Sequence, residues 1–233
     1  RLPQIMEPAE FRQFKQGKIE VNPNCYGIPQ GSGMSAVCSN VHLIDFDKEV
    51  LEWTKHKHPA ALYRRYCDDL IVVIPTANAT VELLEELKNE LMNRIDRFKA
   101  DGLIIQNKKT ELRLYKDQTI FNENMEISAL DYLGFVVHKN EIKLREKSLF
   151  KYYSRTYKKV KTSNRIAYAT KRPGPKRKLY DLYTHLGHKY LDYGNFYAYA
   201  KKAHNIMSEL PCKSIIKKQT KRHWRKIHKR LYE

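Results

Sequence analysis

The sequence predicts an α+β fold, with a mixed half of short strands and helices followed by a half that is helical. Three observations carry this. Up to about residue 138, β-branched runs and turn signals alternate with one long amphipathic helix. From Ser148 onward the apolar residues recur at helical spacing. The charge changes at nearly the same place: residues 1–138 hold 17 Lys/Arg against 20 Asp/Glu, and residues 139–233 hold 27 against 6. The whole excess of the 233-residue chain, +18, therefore lies in its last 95 residues, which also carry eleven of the sixteen tyrosines. A basic field with interleaved aromatics is the footprint of a polyanion-binding surface, nucleic acid above all. The plainer reading of the same feature is a basic helical bundle whose tyrosines fill its core.

The elements follow in order. Residues 1–26 are polar, with one short helix near Pro8–Gln16. Gly27-Ile28-Pro29-Gln30-Gly31-Ser32-Gly33 is a tight loop, and Val37, Val41, Ile44 and Leu51 place a helix after it. Pro59 ends that region. Leu62–Tyr66 and Leu70–Ile74 read as strands around Cys67-Asp68-Asp69, the second buried on both faces because Ile71–Ile74 is continuously apolar. Leu84, Leu87, Leu91, Ile95 and Phe98 form the stripe of a helix over about 79–99, with Glu82, Glu85 and Glu86 at its N-terminal end. Gly102 breaks it. Leu103–Ile105, Glu111–Tyr115, Ile127–Val137 and Glu141–Leu144 read as strands, with turns at Lys116-Asp117 and Lys139-Asn140. In the tail, Arg172-Pro173-Gly174-Pro175 is a loop. Leu179, Leu182, Leu186 and Tyr190 make one helical stripe, and Thr220, Trp224, Ile227 and Leu231 another.

With 42% hydrophobic residues the chain can bury a core, and nine Gly and nine Pro exclude collagen-like and low-complexity classes. No run of about 18 apolar residues is present, so no transmembrane helix and no membrane partner are expected. Arg1-Leu2-Pro3-Gln4 is followed by no signal-peptide core and carries no initiator Met, so a chain that begins mid-protein is expected. Cys25, Cys38, Cys67 and Cys212 form no CxxC pair, which fits reduced thiols in a cytoplasmic protein. His56/His58, His185/His188 and His223/His228 lack zinc-site patterns.

Two motifs carry chemistry. Tyr66-Cys67-Asp68-Asp69 sets adjacent acids at a hairpin tip between apolar strands. Such hard oxygen ligands suit Mg²⁺, which takes one or two carboxylates and completes its shell with phosphates and water. An ordinary Asp-rich turn is the alternative. About forty residues upstream, Gly27 to Ser35 opens a helix, where glycines permit close backbone approach and a helix N-terminus attracts phosphate. It is not a Walker loop, since no Gly-Lys-Ser/Thr follows.

Together these resemble the reverse transcriptase family. Gly27 to Ser35 resembles motif B, with Asn40 where the motif's helix often carries Asn. Tyr66-Cys67-Asp68-Asp69 resembles motif C, the YxDD box. Gly102–Thr110, with Asn107, Lys109 and Thr110, resembles motif D, and Leu133-Gly134-Phe135 resembles motif E, the primer-grip hairpin. The four stand in the family's order over about Cys25–Val137. Arg64-Arg65 before the box and Ile44-Asp45-Phe46-Asp47 after motif B are similar in style to bacterial members, nearer to phage-defence, abortive-infection-like ones than to retroviral ones.

The resemblance implies a right-hand polymerase architecture. Residues 1–138 would be the C-terminal part of a ferredoxin-like palm, residues 139–233 an α-helical thumb, and the fingers absent from this chain. It implies RNA-directed DNA polymerase activity by two-Mg²⁺ nucleotidyl transfer, with Mn²⁺ as a substitute metal, dNTP substrates and a role in bacterial antiviral defence. Asp68 and Asp69 would hold metal. Lys109 would serve the pyrophosphate leaving group, with Lys108 as its rival and an exposed loop lysine as the alternative. Pro29, Gln30 and Gly31 would lie near the incoming nucleotide, and Gly134 near the primer. In the tail, Arg172, Lys176, Arg177 and Lys178 would grip the phosphates of an RNA-templated duplex with a DNA or RNA primer. A noncoding RNA, the missing fingers and palm portion, and an oligomer are further partners that the family allows. One departure stands out: the family's motif A Asp has no counterpart, because residues 1–26 contain no Asp, and Asp45 and Asp47 read as the end of the motif B helix. The chain alone is then expected to be inactive. Two other functions stay open, a template-independent nucleotidyltransferase of the same family and a non-catalytic RNA-binding scaffold. Acids kept beside an apolar strand speak against the scaffold, since they carry a desolvation cost.

Overall fold

A computed structural model of the protein describes residues 6–18, 23, 27, 31–184, 187 and 194–232. It is a mixed α+β structure with small sheets. The chain forms two compact units, 1–47 and 48–233.

In the first unit, α1 (Pro8–Lys15) starts with Pro at its first position and a capping box between Glu7 and Glu10. α2 (Gly33–His42) ends at Leu43, which leaves helical geometry at φ −96° and ψ 8°. α3 (Ile44–Lys57) begins at the next residue. The single expected stripe is thus split over two helices, and Val37 and Val41 are exposed. Asp45 and Asp47 sit in the first turn of α3, where carboxylates complement the helix dipole, and do not end the preceding helix.

In the second unit, α3 buries Val50, Trp53 and Thr54. α4 (Val81–Ile95) starts at Thr80, whose hydroxyl accepts from Leu83 N–H. The two helices are clamped by polar contacts. Trp53 Nε1 donates to Glu90 at 3.0 Å, Lys57 Nζ reaches the same carboxylate, and Arg94 pairs with Glu49 at 2.7 Å. The Lys57 and Trp53 hydrogen bonds hold the Glu90 carboxyl below its ordinary range, against a smaller opposing effect of burial. Its contribution to stability is therefore full above the ordinary carboxylate pKa and is lost as pH falls through the lowered value.

β1 (Leu62–Tyr66) and β2 (Asp69–Val73) form an antiparallel hairpin in register from Leu62↔Val73 to Tyr66↔Asp69. The expectation that this strand is buried on both faces is corrected. Among the described residues β2 pairs only with β1, and Val73 remains 48% exposed. Leu103–Ile105 forms no strand either, and Ile104 is exposed. β3 (Leu114–Lys116) and β4 (Thr119–Phe121) make a second hairpin. The expected long strand Ile127–Val137 is divided into β5 (Leu130–Tyr132) and β6 (Phe135–His138), because Leu133 and Gly134 both adopt positive φ and turn the chain back. β7 (Glu141–Leu144) follows through another tight turn. The charge step near residue 139 falls at that turn, inside one sheet.

α5 (Glu146–Thr170), α6 (Arg177–Tyr183), α7 (Phe196–Met207), α8 (Ile216–Thr220) and α9 (His223–Tyr232) form the tail. Between α7 and α8, β8 (Lys213–Ser214) pairs in parallel with β7. Beyond β8 the partner of β7 is a side chain: Gln219 Oε1 accepts from Leu144 N–H at 2.9 Å, and its Nε2 donates to Leu144 C=O at 3.0 Å. Leu144 packs with Ala200, Ala203 and Ile216, and Phe135 of β6 joins them. A second core holds Val160, Leu179, Ile227 and Leu231. Of the expected stripes, Leu179, Thr220, Ile227 and Leu231 are buried and Leu182 is exposed. Leu186, Tyr190 and the Trp224 side chain lie outside the described residues. Among those residues no helix is long and apolar enough to cross a membrane.

Tyrosines supply much of this packing. Tyr152 stacks on Phe196 at 4.6 Å and meets Tyr183 and Tyr153, and Tyr197 stacks on His223 at 3.9 Å. Gly174 lies against α5, where a Cβ would come 2.2 Å from the Ser163 carbonyl oxygen.

Two stability changes should follow, both read by chemical denaturation. Gln219→Ala leaves two buried backbone groups of Leu144 unpaired and should cost about 2–3 kcal/mol. Gly174→Ala forces the loop off Ser163 and should cost about 1–3 kcal/mol.

Candidate active site

The acid pair is set by the β1–β2 turn. Tyr66 and Asp69 are the last paired residues, so Cys67 and Asp68 form a two-residue loop. Such loops need positive φ, and Cys67 supplies it at 54°, a conformation that disfavours a residue with a Cβ. Arg65 donates to Cys67 C=O at 2.8 Å and braces the loop. Asp68 and Asp69 are both exposed at the tip. Exposed in this way they carry no desolvation cost, so the acid pair does not speak against a non-catalytic scaffold.

A second hairpin reaches the tip. Tyr132, the last residue of β5, donates its hydroxyl to Asp69 C=O across 3.4 Å. Burial raises the pKa of this phenol, and the Asp69 charge raises it further, so it stays a protonated donor at neutral pH. Sequence reasoning passed over Tyr132. The signal was its place immediately before Leu133-Gly134. Gly134 adopts φ 85° at the β5–β6 turn, and its carbonyl accepts from Arg145 N–H at 2.9 Å. Arg145 in turn pairs with Asp131 of β5 at 2.6 Å. The structure therefore brings the acid pair and the Gly134 hairpin together.

It does not bring all the expected residues together. Lys108 and Lys109 are exposed on a short 3₁₀ turn, Asn107–Lys109, and Lys109 forms no ion pair with Asp68 or Asp69. Of the glycine loop, Gly31 is described within its own unit, where it holds φ 85°, and Pro29 and Gln30 lie outside the described residues. In the tail, Arg172 and Arg177 are exposed. Lys176 Nζ stands 4.5 Å over the Tyr232 ring, and the Lys178 side chain lies outside those described.

Among the described residues no three His, Cys, Asp or Glu side chains gather as a metal site. Two neighbouring carboxylates nevertheless suit Mg²⁺, which leaves the rest of its shell to phosphates and water. They do not by themselves make a two-ion centre. What the tip offers is an open, negatively charged point beside a neutral phenol, suited to a divalent cation bridging to a phosphate.

No protein-family model matches the chain, and a search of curated proteins returns no match.

The Gly134 turn gives a direct test of the hairpin. A Cβ there meets nothing within 4 Å, so Gly134→Ala should cost only the left-handed backbone penalty, about 1–2 kcal/mol by denaturation. A cost near zero would mean that the turn does not hold this conformation in solution.

Proposed function

We propose that this chain is the C-terminal palm and thumb portion of an RNA-directed DNA polymerase similar to bacterial reverse transcriptases. The supporting observation is the Tyr66-Cys67-Asp68-Asp69 hairpin. Its acids stand at the exposed tip of a two-residue turn, and Tyr132 of the β5–β6 hairpin reaches that tip. Asp68 and Asp69 would hold Mg²⁺, which when bound neutralises charge on a transferring phosphoryl group. The third carboxylate of such a centre comes, on this reading, from a segment or partner outside these residues.

The remaining roles belong to the chain's own groups. The Tyr132 hydroxyl would steady the backbone at Asp69 through its long contact with the Asp69 carbonyl. Gly134 itself adds no side chain to the turn of the β5–β6 hairpin, where a primer strand would pass. Arg172, Lys176, Arg177 and Lys178 would bear on the phosphates of a template–primer duplex without reading its sequence. Lys109 is free to swing toward a leaving pyrophosphate, being exposed and without an ion pair to the tip. Antiviral defence, dNTP substrates and a partnering noncoding RNA are part of the same reading and rest on the family resemblance alone.

The test is primer extension by the complete protein. Asp68→Ala should lower nucleotide incorporation about a hundredfold or more. Its melting temperature should stay within a few degrees of the parent, because the side chain is exposed. Parallel reactions with and without template, using dNTPs and rNTPs separately, distinguish templated synthesis from untemplated addition. Unchanged incorporation in the variant would sink the proposal, and RNA binding with no incorporation by the parent would favour the scaffold.

A further inference from the structure

The helix α5 carries a groove that the polymerase reading does not use. It has a volume of about 360 Å³ and is lined by Phe150, Tyr153, Tyr157, Lys158, Lys161 and Arg230 among others. Its aromatic residues lie at helical spacing on one face of α5, and Arg230 comes from α9. Phe150 is 75% exposed, so its ring faces are open to solvent beside the groove's cations. The Arg230 guanidinium carbon lies 3.9 Å from the centroid of the Tyr157 ring, and Lys226 Nζ stands over Tyr153 at 4.8 Å. The Tyr153 hydroxyl is buried with no hydrogen-bond partner among the described residues. None of the lining residues is acidic, and α5 as a whole carries seven Lys/Arg against one Glu.

We infer that this groove binds a single-stranded stretch of nucleic acid, with a base stacked on Phe150 and the flanking phosphates on Lys158, Lys161 and Arg230. Each part of the groove matches one part of that ligand. An exposed ring offers a stacking surface that any base can use. The cations match phosphates, which favours nucleic acid over a neutral hydrophobic partner. An unpaired base has a free face, which can lie on the exposed Phe150 ring. A base-paired duplex keeps its bases stacked within itself, so it can use the cations but not the Phe150 ring. The inference goes beyond the polymerase proposal and stands without it.

Equilibrium binding of a fluorescent single-stranded 12-mer to the chain, measured by anisotropy, tests this. The same-length duplex and polyglutamate serve as controls. Phe150→Ala should weaken the single strand about tenfold and Phe150→Trp should restore it, while duplex binding changes less than twofold. Lys158→Glu with Lys161→Glu should reduce the steepness of the salt dependence for the single strand. Because Phe150 and Lys158 are exposed, circular dichroism should show unchanged helix content in all variants. Equal single-strand affinity for Phe150→Ala and the parent would overturn the inference. So would an equal loss for duplex and single strand, or polyglutamate binding that also depends on Phe150. Because the readout is binding, a chain that fails to extend primers leaves this result intact.

Discussion

The tail of this protein is held to its sheet by what happens along one edge of β7. Left open, that edge would present unpaired backbone N–H and C=O groups beside the buried Ile142 and Leu144. Lys213 and Ser214 cover its first residues as a parallel strand, and the Gln219 amide covers Leu144. A primary amide carries one donor and one acceptor side by side, the same pair that a peptide presents along a strand. Gln219 thus stands in for a strand residue from within a helix. Ile216 and Leu144 are then buried together, and α7 packs its Ala200 and Ala203 on them. The small residues matter because only they let a helix approach this closely.

Much of the fold was legible in local chemistry. The β1 and β2 hairpin, the capped helix α4 and the long tail helix α5 all followed from periodicity and turn residues. What failed has a common physical source. The apolar run after the acid turn looked doubly buried, yet burial depends on which other strands pair, and that is not a local property. The helix after the glycine loop divided at Leu43, where no Pro or Gly marks a break. Leu133-Gly134 was legible as a family motif, but the strand around it was read as continuous because Leu133 is an unusual residue for positive φ. The sequence marked the turns that carry Asp68, Asp69 and Gly134, but not the contact that Tyr132 makes with Asp69. A contact across 63 residues leaves no trace in a local pattern.

The tail's aromatic residues divide between packing and exposure, a distinction that composition alone left open. Tyr152 and Tyr197 are structural, engaged in stacked ring pairs. Tyr153 and Tyr157 lie between core and surface, each beneath a cation. Phe150 and Tyr168 are turned to solvent. One helix therefore grades from buried to exposed aromatics around its circumference, and a count of aromatics could not have separated the two.

The edge of β7 also sets an order of events in time. Leu144 and its amide partner are 75 residues apart in the chain. During synthesis the β5–β6–β7 hairpins can form as soon as they emerge, since each is joined by a two-residue turn. Their outer edge then waits, exposed, while α5, α6 and α7 are made. At roughly 5–20 residues per second that interval lasts several seconds, long compared with hairpin formation in microseconds. An uncovered strand edge is a template for pairing with another chain. Parallel pairing across so long a loop is also the slow kind of contact to make. The segment from β8 to Gln219 thus closes this edge, and the edge is most open to misassociation just before that segment arrives.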